Sequence, residues 1–253
     1  MLKRSVYLFI WLVLPLLSFG NSQAHDLFEK ANAYYAKAQY KEALAAYQQI
    51  INGGDQSAAI YFNMGNACYK LDSIPAALLY FEKAHKLAPG DDDINFNIQY
   101  TNLKTTDKIE EVPEFFLARW LRAFVMELSV NVLSIWSVVL FLSGSALLIL
   151  YFFATAIVVK KSSFYAGITL FFLGILTIFI ANRQVSYFDD HRQAIIFSSS
   201  VTVKSGPVER AGTLFVIHDG TKVNIVGDSN GWIRIRLANG NEGWVKASDV
   251  KEI

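Results

Sequence analysis

Four histidines, one cysteine and a run of three aspartates are the side chains here best suited to chemistry. His25, His85, His191 and His218 are scattered, whereas zinc and general acid–base sites draw ligands from short, repeated spacings. No metal site and no catalytic residue is therefore expected from them. Asp91, Asp92 and Asp93 suggest a cation site at first sight. Successive residues of a helix point in different directions, however, so capping of a helix N-terminus is the expected role. Cys68 is alone, which excludes an intramolecular disulfide and any multi-cysteine zinc site. It reads as a packing thiol, because no base or cation is evident beside it to stabilise a thiolate. Binding surfaces are better candidates than a reaction centre, and no cofactor is expected.

The elements that would position such surfaces are unlike one another. The 253 residues are 53% hydrophobic, with a mean hydropathy of +0.29; that is too apolar for an ordinary soluble domain and implies a membrane segment. The formal net charge of +1 gives no basic field for nucleic acid. It conceals an acidic segment, 25–114, with 8 basic and 13 acidic residues, and a mildly basic segment, 191–253, with 8 and 6. Residues 1–24 have Lys3 and Arg4, an apolar run and Ser22-Gln23-Ala24, as a secretory signal cut after Ala24 would. An uncleaved first membrane helix is the other reading. Residues 106–128 are expected to form a polar linker ending near Pro113 and then an interfacial helix, with Phe115, Phe116, Trp120, Phe124 and Leu128 at helical spacing and Arg119, Arg122 and Glu127 as its polar face. Two charge-free apolar runs follow, expected as membrane spans over 130–159 and 164–182, with a turn at Lys160-Lys161-Ser162-Ser163. The two lysines place that turn in the cytoplasm. Both flanking soluble parts then lie on the opposite side of the membrane.

Residues 25–105 are expected to be helical and carry an internal repeat. Ala31, Ala43 and Tyr47 recur as Gly65, Ala77 and Phe81 at an offset of 34 residues. With Asn32, Tyr35 and Glu42-Ala43-Leu44 answered by Asn66, Tyr69 and Ala76-Ala77-Leu78, this pattern resembles two tetratricopeptide repeats followed by a capping helix. The first repeat departs from the family pattern at Ala31, Ile50 and Asp55. The resemblance implies that the first helix of each pair lines a concave face. Asn32, Tyr35, Phe62, Asn63, Asn66, Tyr69 and Lys70 would then form a peptide-binding groove, the Asn amides holding a peptide backbone and the aromatics its side chains. Packing of Tyr35 and Tyr69 against neighbouring helices is the competing reading.

Beyond residue 191 the period changes to two. Short β-rich runs at 194–197, 201–204, 214–217, 222–226, 232–237 and 243–246 are separated by Gly, Asn and Asp turns, which predicts a small antiparallel barrel over 192–253. Val201-Thr202-Val203-Lys204-Ser205-Gly206-Pro207, Gly220-Thr221-Lys222-Val223, Gly231-Trp232-Ile233-Arg234-Ile235 and Gly243-Trp244-Val245 resemble the bacterial SH3 family. Lys204 stands where that family usually has Arg. Its ligand face would use Lys204, Trp232 and Trp244, with Trp232 expected to complete the small core and Trp244 open to either role.

The expected fold class is thus multi-domain: α-helical tetratricopeptide hairpins, a transmembrane helical hairpin and an all-β SH3-like small barrel. End to end, this architecture resembles BatE-type proteins of the bacterial aerotolerance (Bat) operon. The resemblance implies a non-enzymatic scaffold or adaptor in the inner (cytoplasmic) membrane, with both soluble domains periplasmic. Its partners would be other Bat-operon membrane proteins, namely von Willebrand factor A domain proteins and a MoxR-type ATPase, with the lipid bilayer and either peptide or peptidoglycan at the SH3 domain. An alternative is an envelope or redox stress sensor that binds peptidoglycan through the SH3 domain, with Cys68 as the oxidisable group.

Overall fold

The computed structural model describes residues 22–110, 112–113 and 115–253. The expected signal therefore lies, apart from residues 22–24, outside the described residues. The chain divides after Gln56 into two compact units.

The first unit is a helix pair, α1 (Ser22–Ala36) and α2 (Tyr40–Asn52). Ala31 and Ala43 are fully buried, so the two backbones approach closely, and Tyr47 and Ile50 fill the space beside them. The turn uses a left-handed Ala38 at φ 58°. It is closed by the Gln39 amide donating to Tyr34 O at 3.0 Å, the longer hydrogen bond of a Schellman-type helix end.

The second unit opens with the next helix pair, α3 (Ala58–Lys70) and α4 (Ile74–Leu87). Ser57 caps α3 by accepting from the Ile60 amide at 3.2 Å. Gly65 is required because a Cβ there would stand 2.5 Å from the Phe81 ring. The intervening turn repeats the first at the equivalent place, with Asp72 at φ 57° and Ser73 N–H donating to Cys68 O at 3.0 Å. Helix α5 (Asp92–Asn102) follows, and Asp91 Oδ1 accepts from the amides of Asp93 and Ile94 at 3.0 and 3.1 Å. Asp91 thus caps the helix as the sequence predicts.

Residues 106–110, expected within a polar linker, instead lie against the barrel with alternate residues turned inward. Asp107 accepts from the His218 amide at 2.6 Å and the Thr221 hydroxyl at 2.7 Å, and Ile109 packs against the barrel core. A period of two over so few residues gives the sequence almost no amphipathic signal.

Helix α6 (Phe116–Met126) leads to α7 (Val130–Phe153) and α8 (Ile157–Asp190), both long and apolar enough to cross a membrane. Their contact is lined by small residues. A Cβ on Gly144 would stand 3.2 Å from Gly167 O, and one on Gly167 would stand 3.3 Å from Gly144 O, the close approach that replaces hydrophobic drive between helices in lipid. Hydroxyls of Ser134, Ser145 and Thr177 each donate at 2.8 Å to a carbonyl of their own helix, so that these three polar groups are satisfied without water. Outward-facing Trp136, Phe172 and Phe179 are more than half exposed, unlike the core helices of a soluble domain. The turn between α7 and α8 falls at 154–156, where Ala154 and Ala156 are extended. This corrects the boundary expected at Lys160–Ser163: Lys160 and Lys161 belong to the start of α8. Lysine favours helix, so charge marks depth in a membrane rather than the end of the helix.

The C-terminal part is one antiparallel sheet of β1 (Gln193–Ile196), β2 (Ser200–Lys204), β3 (Thr213–His218), β4 (Lys222–Ser229), β5 (Trp232–Arg236), β6 (Glu242–Lys246) and β7 (Val250–Glu252), in the order β3-β2-β6-β5-β4-β1-β7. Alternation buries Val201, Val203, Ile235 and Val245 in its core. Asn230 at φ 48° and Gly231 at φ 80° make the tight β4–β5 turn. Strand β7 is unexpected from the sequence and pairs with β1.

Candidate functional site

The expected groove residues are mostly engaged. In the first unit Asn32 Oδ1 accepts from the Tyr47 hydroxyl at 2.6 Å, and the Tyr35 ring packs edge-on against Tyr40 at 5.2 Å. In the second, Asn66 Oδ1 accepts from Asn97 Nδ2 at 3.0 Å and Tyr69 packs on Tyr100 at 5.8 Å, with Lys104 Nζ 4.4 Å from the Tyr69 ring centre. Phe62 packs on Phe81 at 5.8 Å, Asn63 is half-buried, and Lys70 is exposed. Helix α5 therefore sits beside the face expected to hold peptide, and it contributes apolar surface of its own. Phe96 and Tyr100 stack at 6.0 Å while remaining 63% and 50% exposed, and Leu103 is 72% exposed one turn further on. Sequence reasoning passed over these three, although their i, i+4, i+7 spacing was visible.

On the barrel, cross-strand pairing sets Lys204 opposite Trp244, Trp244 opposite Arg234, and Trp232 opposite Lys246. Paired residues share a face, so Trp232, Arg234, Trp244 and Lys204 lie on the outer surface while Ile233, Ile235 and Leu237 alternate inward. Both Trp side chains are half-buried. Trp232 does not complete the core as expected; its place in the strand alternation turns it outward. Charge on this face is partly paired, Glu242 meeting Arg234 at 2.7 Å and Arg236 at 2.6 Å.

The buried polar groups tie modules together. Glu82 on α4, 5% exposed, meets Lys222 of β4 at 2.7 Å. Around that pair Leu78 and Leu79 of α4 pack with Ile195 of β1. Burying three such aliphatic side chains is worth on the order of 5 kcal/mol, whereas a buried ion pair roughly balances its desolvation cost. Apolar contact thus holds the junction and the ion pair fixes its register. Burial pushes the Asp107 pKa up, but hydrogen bonds from the His218 ring and amide and from Thr221 outweigh it and hold the carboxyl below its usual range. Burial lowers the pKa of His85, whose Nδ1 lies 2.8 Å from Asn95 Oδ1.

Cys68 is buried, and that burial pushes its thiol up to about 11. The thiolate, which is the form that oxidises readily, is then nearly absent at neutral pH. Among the described residues no group of three or more His, Cys, Asp or Glu could hold a metal ion.

Two known families match parts of the chain. Residues 58–91 match the tetratricopeptide repeat, and residues 199–251 match the bacterial SH3 domain. No curated protein matches the chain. The chain accordingly carries a tetratricopeptide repeat and a C-terminal bacterial SH3 domain, module types that bind proteins or peptidoglycan and are not themselves catalytic, together with two helices long enough to span a membrane.

Proposed function

We propose that this protein is a membrane-anchored, non-enzymatic scaffold of the BatE type. It presents its tetratricopeptide and SH3 modules on the periplasmic side of the inner membrane to von Willebrand factor A domain proteins and a MoxR-associated assembly serving tolerance of oxygen or envelope stress. The supporting observation is the seating of the barrel on α4 through Leu78, Leu79, Ile195 and the Glu82–Lys222 pair. Two binding modules joined so firmly suit simultaneous engagement of partners better than independent tethering. Lys160 and Lys161 support the orientation. In-cell crosslinking of the full chain followed by mass spectrometry tests this reading. Von Willebrand factor A domain proteins are the expected catch, and Phe96→Ala with Tyr100→Ala should lower their recovery about tenfold or more, as loss of two aromatic anchors would. No such protein in the wild-type sample, or undiminished recovery with the variant, counts against it.

Peptidoglycan is the second reading for the barrel's ligand, favoured by the half-exposed Trp232 and Trp244 flanking Arg234 on one face. Purified sacculi should retain the full chain through salt washing and lose it with Trp244→Ala. Retention that salt abolishes would instead indicate charge attraction alone.

A further inference from the structure

Helix α5 turns two unlike faces away from its own repeat. Phe96, Tyr100 and Leu103 lie on one. Asp92, Asn95, Gln99 and Asn102 share the other, spaced i, i+3, i+7 and i+10, and border a cleft of about 900 Å³ between α5, the stretch at 106–110 and strands β1 and β4. That volume is in the range of a ligand site. The polar face runs about 15 Å along the helix at 1.5 Å per residue, the length of roughly four to five extended residues.

Hydrogen-bonding capacity is left over on both walls. Asn95 is spent locally, its Oδ1 2.8 Å from His85 Nδ1 and its Nδ2 donating to Pro89 O at 3.0 Å. Gln99 and Asn102 are exposed and make no side-chain hydrogen bond to a described residue. On the facing wall Gln193 Nε2 donates to Asn224 Oδ1 at 3.0 Å, which leaves Gln193 Oε1 to accept and Asn224 Nδ2 to donate. Charge is left over as well, and of one sign. Glu82, Asp92, Asp107 and Glu110 border the cleft against Lys108 and Lys222. Glu82 pairs with Lys222, and Lys108 turns its Nζ onto the carbonyls of Asn102 and Leu103 at 2.7 and 3.1 Å. Asp92 and Glu110 have no ion-pair partner among the described residues. Nor does any Phe, Tyr or Trp among the described residues line the cleft.

We infer that this cleft holds an extended peptide segment of a partner protein, gripped by its backbone and carrying a basic side chain. Carboxamides on two facing walls match the N–H and C=O groups that an extended chain presents along both edges. Asp92 and Glu110 supply the complementary charge, whereas an acidic segment would meet like charge. A sugar ring would find no aromatic face to stack on. The site is separate from the aromatic face of α5 and does not depend on the membrane reading.

The test selects a phage-displayed library of random octapeptides on the detergent-solubilised full chain and titrates the selected peptides after synthesis. Lys or Arg should be enriched among them, and Asp and Glu depleted. Gln99→Ala with Asn102→Ala, at two exposed positions where alanine favours the helix, should weaken binding about tenfold, as loss of two backbone-directed hydrogen bonds would. Asp92→Asn with Glu110→Gln should level the preference for basic over acidic sequences. A selection that yields no binder, or binders without a basic preference, overturns the site. So does a set of peptides all lost with Phe96→Ala and Tyr100→Ala yet indifferent to both cleft variants, which would belong to the aromatic face. Binding of a hexamer of N-acetylglucosamine that the Gln99 and Asn102 substitutions abolish would assign the cleft to glycan and overturn the peptide.

Discussion

At the level of single residues, polar and reactive side chains in this chain are spent on holding structure. Asn32 and Asn66, chemically suited to grip a peptide backbone, grip Tyr47 and Asn97 instead. Which of an amide's possible partners it takes depends on what the fold brings beside it, so residue type alone could not decide between groove and packing. Cys68 is the complementary case. Its place on α3, where a packing side chain is expected, was legible from the repeat, and the apolar surroundings that push its thiol up make a redox sensor a poor use of it. A stress sensor would have to rely on ligand binding rather than on this thiol.

Among the elements, the two helix pairs share a feature the repeat arithmetic did not foretell: a non-glycine residue at the left-handed turn position of each, Ala38 and Asp72. An alanine in this conformation costs about 1 kcal/mol relative to glycine. Ala38→Gly should therefore stabilise the first helix pair by up to about 1 kcal/mol, raising the first melting transition of the detergent-solubilised chain; an unchanged or lower midpoint would contradict the strain. Helix pairs, the two long apolar helices and most strands were legible because each repeats its pattern several times over. Strand β7 was not, because Val250 is its single buried residue. The α7–α8 turn was misplaced because Lys160 and Lys161 are charged without being helix breakers, and the stretch at 106–110 escaped notice because its partners lie on a barrel more than a hundred residues away.

For the whole molecule, the question is what keeps the barrel seated on the second repeat. The Asp107 contacts make the seating depend on pH in a definite direction. A carboxyl held below its ordinary value stabilises the folded state in full above the unfolded Asp value near 4. That contribution is lost as pH falls through the lower folded value. Asp107→Asn should cost about 1–2 kcal/mol at neutral pH and flatten the pH dependence of the second melting transition on the acid side. An unaltered acid profile would show that Asp107 contributes nothing to the seating.

Helix α8 has one more consequence. Its 34 residues make a rod about 51 Å long at 1.5 Å per residue, some 20 Å more than a bilayer's apolar core of about 30 Å. Only His191 and Arg192 separate it from β1, and the His191 amide still bonds back to Tyr187 O at 3.1 Å. The rod therefore enters the barrel with almost no compliant joint. In mechanical terms it is a lever: a change of tilt of about 10°, well within the range helices adopt in membranes of different thickness, would sweep the barrel and the repeat seated on it by about 3–4 Å. On the proposed membrane reading, any change of tilt would therefore reach the barrel undamped.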